Sequence, residues 1–187
     1  PWPLNPMGHS ASDLKYRMQW TFPIVVSPHD VKTIYVGSSV LFKTTDEGDS
    51  YQAISGDLSR NDPRTLGPSG GPITKDQTGV ETYALIFAFD ESPVQAGVLW
   101  AGTDDGLVWV SRNNGANWEN VTPKDIGDFT RVSIIEPSHF VAGGAFVAAN
   151  EATIVAALQG VIENSAALVA VVAFVGAIFI VAALTTS

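Results

Sequence analysis

The sequence predicts a mainly β protein, and three observations carry that prediction. Short runs rich in Val, Ile, Phe and Trp are punctuated by Pro, Gly and Asp, the signal of antiparallel strands joined by tight turns. A unit of strand, Pro turn and strand occurs from Phe22, again from Ile86 and again from Val132. Strand-like spacing persists as far as Asn150, where the apolar residues take up the spacing of a helix.

The first unit, "FPIVVSPHDVKTIYVGSSVLFKTTDEGDSY", and the second, "IFAFDESPVQAGVLWAGTDDGLVWVSRNNGANW", each continue into a further strand, at Val40 to Lys43 and at Leu107 to Val110. A polar loop closed by an aromatic residue follows. The third, "VSIIEPSHFVAGGAFVAAN", stops at Asn150, where its further strand is due. Within the second unit, Asp105-Gly106 supplies the positive φ that a tight hairpin needs, so Asp104 and Asp105 are expected at a solvated tip.

The two polar loops are the most specific feature of the chain. Thr44, Asp46, Gly48 and Tyr51 in the first correspond to Ser111, Asn113, Gly115 and Trp118 in the second, a pattern of hydroxyl-x-Asp/Asn-x-Gly-x-x-aromatic. The Asp or Asn accepts hydrogen bonds from its own turn, the Gly takes a left-handed conformation, and the aromatic fills the gap between neighbouring sheets. Asn113 retains the turn-bonding role while removing a carboxylate from that position, so the loops read as folding devices.

This pattern resembles the Asp-box of bacterial BNR-repeat proteins, which include sialidases, sortilin-type receptors and photosystem II assembly factors. The segments "QWTFPIVVSPHD", "DLSRNDPRTLGPSGGPITKDQTGVETYA" and "LWAGTDDGLVWVSRNNGANWENVTP" extend the resemblance to large members labelled glycosyl hydrolase. It implies a partial β-propeller over residues 1–150, since a closed propeller takes about 4 to 8 blades. It implies little about activity, because the repeat marks a fold.

Beyond the repeats, "NEATIVAALQGVIEN" sets Ile154, Val155, Leu158, Val161 and Ile162 on one helical face, with Asn150 as N-cap. An amphipathic helix or linker is therefore expected over 151–165. Ala166 to Leu184 carries no charge and no hydrogen-bonding side chain. As a helix it would reach about 28 Å, close to the thickness of a bilayer core. A single transmembrane helix over 166–184 is the expectation, with the lipid bilayer as partner; the resemblance to exported bacterial proteins implies repeats in the periplasm or otherwise extracytoplasmic, and a tail anchor with a cytoplasmic domain is the alternative. The chain opens on Pro1 rather than Met, as a processed chain or a fragment would.

Composition narrows the function. The 187 residues carry a net charge of −9, with every Lys and Arg at or before Arg131, so nucleic acid is not an expected partner. There is no cysteine for a disulfide or thiolate site. "GPSGG" around Ser69 spells a nucleophile motif, but its prolines and glycines make a loop rather than a strand-to-helix elbow. His9, His29 and His139 lack metal-ligand spacing, and no cofactor is expected. The five arginines do not assemble a sialidase-like clamp around a Tyr nucleophile.

Two functions fit these features. One is a membrane-anchored, non-catalytic interaction module, an accessory subunit of a larger membrane complex that meets other protein subunits through the long insertion at Asp57 to Thr82, with Arg60, Arg64 and Lys75 as contacts. The alternative is a fragment of a sialidase-like glycoside hydrolase whose active site needs blades absent from this chain.

Overall fold

A computed structural model of the chain describes residues 7–79 and 82–149 throughout, and the backbone strands at 153–158, 168–174 and 177–183. Four antiparallel sheets follow one another along the sequence. Blade 1 is a meander of β1 (Ile24–Val26), β2 (Ile34–Gly37), β3 (Leu41–Thr44) and β4 (Gln52–Ala53). Blade 2 repeats it with β5 (Ile86–Glu91), β6 (Leu99–Thr103), β7 (Val108–Ser111) and β8 (Glu119–Asn120). The third sheet holds β9 (Val132–Pro137), β10 (Gly144–Ala149) and β11 (Thr153–Leu158), and β12 (Leu168–Phe174) pairs with β13 (Ala177–Ala183) as a hairpin.

Strand parity decides how the blades pack. Successive side chains of a strand point to opposite faces, and in blade 2 both faces are apolar. Phe89, Leu99 and Ala101 face blade 1, where they meet Tyr35, Leu41 and Leu58, with Val25, Ile54, Trp109 and Trp118 at the margin. Ala88, Trp100, Val108 and Val110 face the third sheet and meet Val132, Ile135, Ala145 and Val147. Every residue of β6 is consequently buried. Tyr35 and Phe89 set their rings 5.1 Å apart across the first of these interfaces.

The outer face of blade 1 is covered in part. Val36 and Phe42 are buried, with the Tyr16 ring edge-on to Phe42 at 4.9 Å, whereas Ile24 and Val26 on the same sheet remain 63% and 52% exposed. Arg17 fastens this N-terminal segment. Its buried guanidinium donates to the Ala84 carbonyl at 2.8 Å, to the Ser59 hydroxyl at 2.9 Å and to Asp57. The insertion thus has its own small core, where Leu66 packs with Ala11 and Ala84.

At the C-terminal end the secondary structure differs from two sequence expectations. The strand that the third unit was due is β11, which pairs with β10 from Gly144↔Leu158 to Ala149↔Thr153, in the segment expected to form an amphipathic helix. β12 and β13 occupy most of the segment expected to span a membrane as a helix. Apolar runs of β-branched residues satisfy a buried strand as well as a buried helix, and periodicity alone does not separate the two. For β11 the open edge of β10 decides the matter by offering a ladder of hydrogen bonds. Among the described residues, no helix is long and apolar enough to cross a membrane. The N-cap Asn150 and the polar Asn164 and Ser165 lie outside the described residues.

The close approach of blade 2 to the third sheet rests on Gly102, where a Cβ would stand 2.4 Å from Val132 Cγ1 and 2.9 Å from Ile135 Cδ1. Gly102→Ala is expected to destabilise the fold by about 1 to 3 kcal/mol through overpacking. Urea denaturation measures this, and adding Val132→Ala should restore part of the loss, because that change vacates the volume in conflict.

Candidate functional site

The two Asp-box loops are wired alike. In the first, the Thr44 hydroxyl donates to Asp46 Oδ1 at 2.6 Å and accepts from the Gly48 amide at 3.0 Å, while Asp46 Oδ1 accepts from the Ser50 amide at 2.9 Å. In the second, the Ser111 hydroxyl donates to Asn113 Oδ1 at 3.1 Å and accepts from the Gly115 amide at 2.9 Å, while Asn113 Oδ1 accepts from the Asn117 amide at 2.9 Å. A carbonyl oxygen suffices for the task, which is why Asn113 substitutes for Asp. Hydrogen bonds from the Ser50 hydroxyl, then from Thr44, hold the Asp46 carboxyl down to about 2. Both turns carry two successive left-handed residues, Glu47 and Gly48 at φ 60° and 101°, Asn114 and Gly115 at φ 57° and 85°.

The loops differ in what their aromatics do. Trp118 reaches from blade 2 to blade 1, where its indole N–H donates to the Ile54 carbonyl at 3.0 Å. Gly115 stands against the same residue, and a Cβ there would lie 2.7 Å from the Ile54 oxygen. Tyr51 folds back over its own loop, its hydroxyl 3.1 Å from where a Gly48 Cβ would be. Both rings are half-buried. They line an open groove of about 1070 Å³ between the outer strand of blade 1 and the Asp-box of blade 2, together with Trp109, Asn113, Asn114 and Asn117. Trp109 is also tethered, its indole N–H donating to the Leu58 carbonyl at 2.6 Å.

A second polar centre lies at the β6–β7 hairpin, where sequence reasoning expected solvated acids and the structure buries them. Asp104 and Asp105 are 4% and 1% exposed. Asp104 Oδ1 accepts from the Leu85 amide at 2.9 Å, yet burial pushes this carboxyl up to about 7. Asp105 is likewise raised by burial, against the opposing pull of the Thr103 hydroxyl and of Arg60. The Thr103 hydroxyl donates to Asp105 Oδ1 at 2.6 Å and accepts from the Leu107 amide at 2.9 Å, a shortened version of the Asp-box wiring. The hydroxyl two residues before Asp105 was the available sequence signal.

Arg60, expected to meet a partner, is turned into the chain. Its amide donates to Asp105 Oδ2 at 2.8 Å, its Nε to the Asp105 carbonyl at 2.7 Å, and its guanidinium pairs with Asp128 and lies over the Phe129 ring. Arg64 is exposed and forks onto Asp62, and Lys75 is exposed beside a backbone bridge to Gly70. Neither lines the groove. Ser69 sits in an irregular loop, its amide bonded to Gln77 Oε1 at 3.1 Å.

Sequence comparison finds a curated relative, the oligoxyloglucan-reducing end-specific xyloglucanase of Emericella nidulans, 28% identical over 131 residues. The match takes in 65% of this chain and 15% of that enzyme, so the chain spans about a seventh of the relative's length. Among solved structures, the GH74 xyloglucanase of Xanthomonas campestris aligns at 18% identity and a TM-score of 0.45, covering 67% of this chain and 18% of that one. A GH74 enzyme of Niastella koreensis aligns at 12% identity and 0.45, covering 74% and 20%. No family model matches the chain.

Two outcomes test these centres. Gly115→Ala should cost about 1 to 3 kcal/mol, since φ 85° and the Ile54 carbonyl both oppose a side chain, and Trp118 should become accessible to iodide quenching. For Asp104, a folded-state value near 7 against 3.8 unfolded means that the folded protein binds the extra proton in this window. Its contribution therefore turns unfavourable as pH rises from about 4 to 7. Asp104→Asn removes the ionisation, so thermal melts should show a higher Tm at pH 8 and a smaller loss between pH 5 and pH 8. Each kcal/mol recovered is about 2 to 4 °C at this chain length.

Proposed function

We propose that this chain is a segment of a glycoside-hydrolase-type β-propeller directed at β-glucans of the xyloglucan class. The observation that carries the reading is the 28% identity over 131 residues to a xyloglucanase, in a chain built of Asp-box blades. The segment supplies blades and binding surface, and cleavage is assigned to a complete protein. Glycoside hydrolysis takes two carboxyl groups flanking the scissile bond, about 5 to 9.5 Å apart across a sugar. Among the described residues, burial raises the carboxyls of Asp90, Asp104 and Asp105; Asp104 and Asp105 are adjacent in one hairpin, and all three accept hydrogen bonds from backbone amides.

Native electrophoresis through gels cast with and without xyloglucan tests the reading. The chain should be retarded by the polysaccharide and should release no reducing ends from it. Equal mobility in both gels would overturn the assignment, and release of reducing ends would overturn the division between binding and cleavage.

A further inference from the structure

Five features of the groove between blades 1 and 2 bear on what it can hold. Its volume of about 1070 Å³ is large enough for several sugar rings, and it is open to solvent. Three aromatic rings line it, those of Tyr51, Trp109 and Trp118. Both indoles are fixed by hydrogen bonds, Trp109 to the Leu58 carbonyl and Trp118 to the Ile54 carbonyl, so their planes are set before any ligand arrives. Amide side chains stand beside the rings. Asn113 uses its Oδ1 within the loop, and Asn117 contributes only its backbone amide to the Asp-box. Charge is sparse, since Lys43 and Asp57 are the only ionisable groups of the lining besides the Tyr51 phenol, and Asp57 is paired with Arg17.

Rigid aromatic planes beside uncharged amide donors and acceptors suit a ligand with apolar C–H faces and many hydroxyls. A phosphate or carboxylate would find no cluster of cations there. An extended peptide would need a free strand edge, but β4 has two residues and Trp118 takes the next carbonyl, Ile54. We propose that this groove is a neutral-oligosaccharide site, in which β-linked sugar rings stack on Tyr51 and Trp118 while Asn113 and Asn117 bond the hydroxyls. The choice of a β-linked glucan rests on the function proposed above, whereas the saccharide class rests on the groove itself.

The test titrates the full chain with xyloglucan heptasaccharide and with cellotetraose, reading tryptophan emission. A saturable change is expected. Tyr51→Ala should weaken it about tenfold, roughly one ring-stacking contact, and Tyr51→Phe should retain it. Asn117→Ala, which leaves the Asp-box wiring in place, should also weaken it with an unchanged melting curve. Binding that survives Tyr51→Ala and Asn117→Ala would overturn the groove while leaving the xyloglucan reading intact. Retardation by the polymer with no emission response to either oligosaccharide would do the same. Variant-sensitive binding of cellotetraose alone would support the groove and overturn the xyloglucan reading.

Discussion

The three longer strands of blade 2, β5 to β7, have no solvent face. They must satisfy two neighbours at once, so alternate residues fill two separate cores, and the side-chain volumes on one face constrain the spacing to the other. Trp100 is directed to one core while Leu99 and Ala101, on either side of it, are directed to the other. Small residues are buried at these interfaces, at Ala88, Ala101 and Ala145, and at Gly102 the third sheet leaves no room for a Cβ. Blade 1 and the third sheet both pack on this middle sheet. Blade 1 borrows its buried face from it, and the third sheet does so from the opposite side.

The rims of the blades obey a different constraint. Where strands end, backbone amides lose ladder partners, and here a hydroxyl and a side-chain carbonyl replace them. The same arrangement occurs at Thr44 with Asp46, at Ser111 with Asn113, and in shortened form at Thr103 with Asp105. Two of these three places also hold neighbouring segments together. Gly115 and Trp118 grip Ile54 of blade 1, and Asp105 grips Arg60 of the insertion. A folding motif therefore sets the geometry of the groove that separates the blades.

How much of this was legible in the sequence depends on the range of the interaction. Strands, turns and Asp-boxes are local patterns, and β1 to β3, β5 to β7, β9 and β10 lie where alternation and punctuation set them, whereas the two-residue strands β4 and β8 carry too little pattern to be read. Beyond Asn150 a short apolar run such as Thr153–Leu158 has no local discriminator between helix and strand, and the strand is defined by its pairing, as in Val147↔Val155. The burial of Asp104 and Asp105 was also hidden, since it results from segments distant in sequence: the insertion at Arg60 and the turn at Phe129. The candidate groove was half visible. Tyr51 and Trp118 were marked as plugs, but that their rings would line one open space followed only from the placement of two blades.

The dipeptide Asn114-Gly115 gives the second Asp-box a chemical dimension. In a free peptide, an asparagine followed by glycine loses its side-chain amide readily, because the next backbone nitrogen is unhindered and attacks the side-chain carbonyl. In the folded chain that nitrogen, the Gly115 amide, is donated to the buried Ser111 hydroxyl at 2.9 Å, and the turn holds both residues in left-handed conformations. The fold thus withholds the nucleophile from its own reaction. Covalent ageing at this position is tied to excursions that release the loop, so the fraction of chains carrying an aspartyl or isoaspartyl residue at 114 becomes a cumulative clock of how often the second Asp-box has opened.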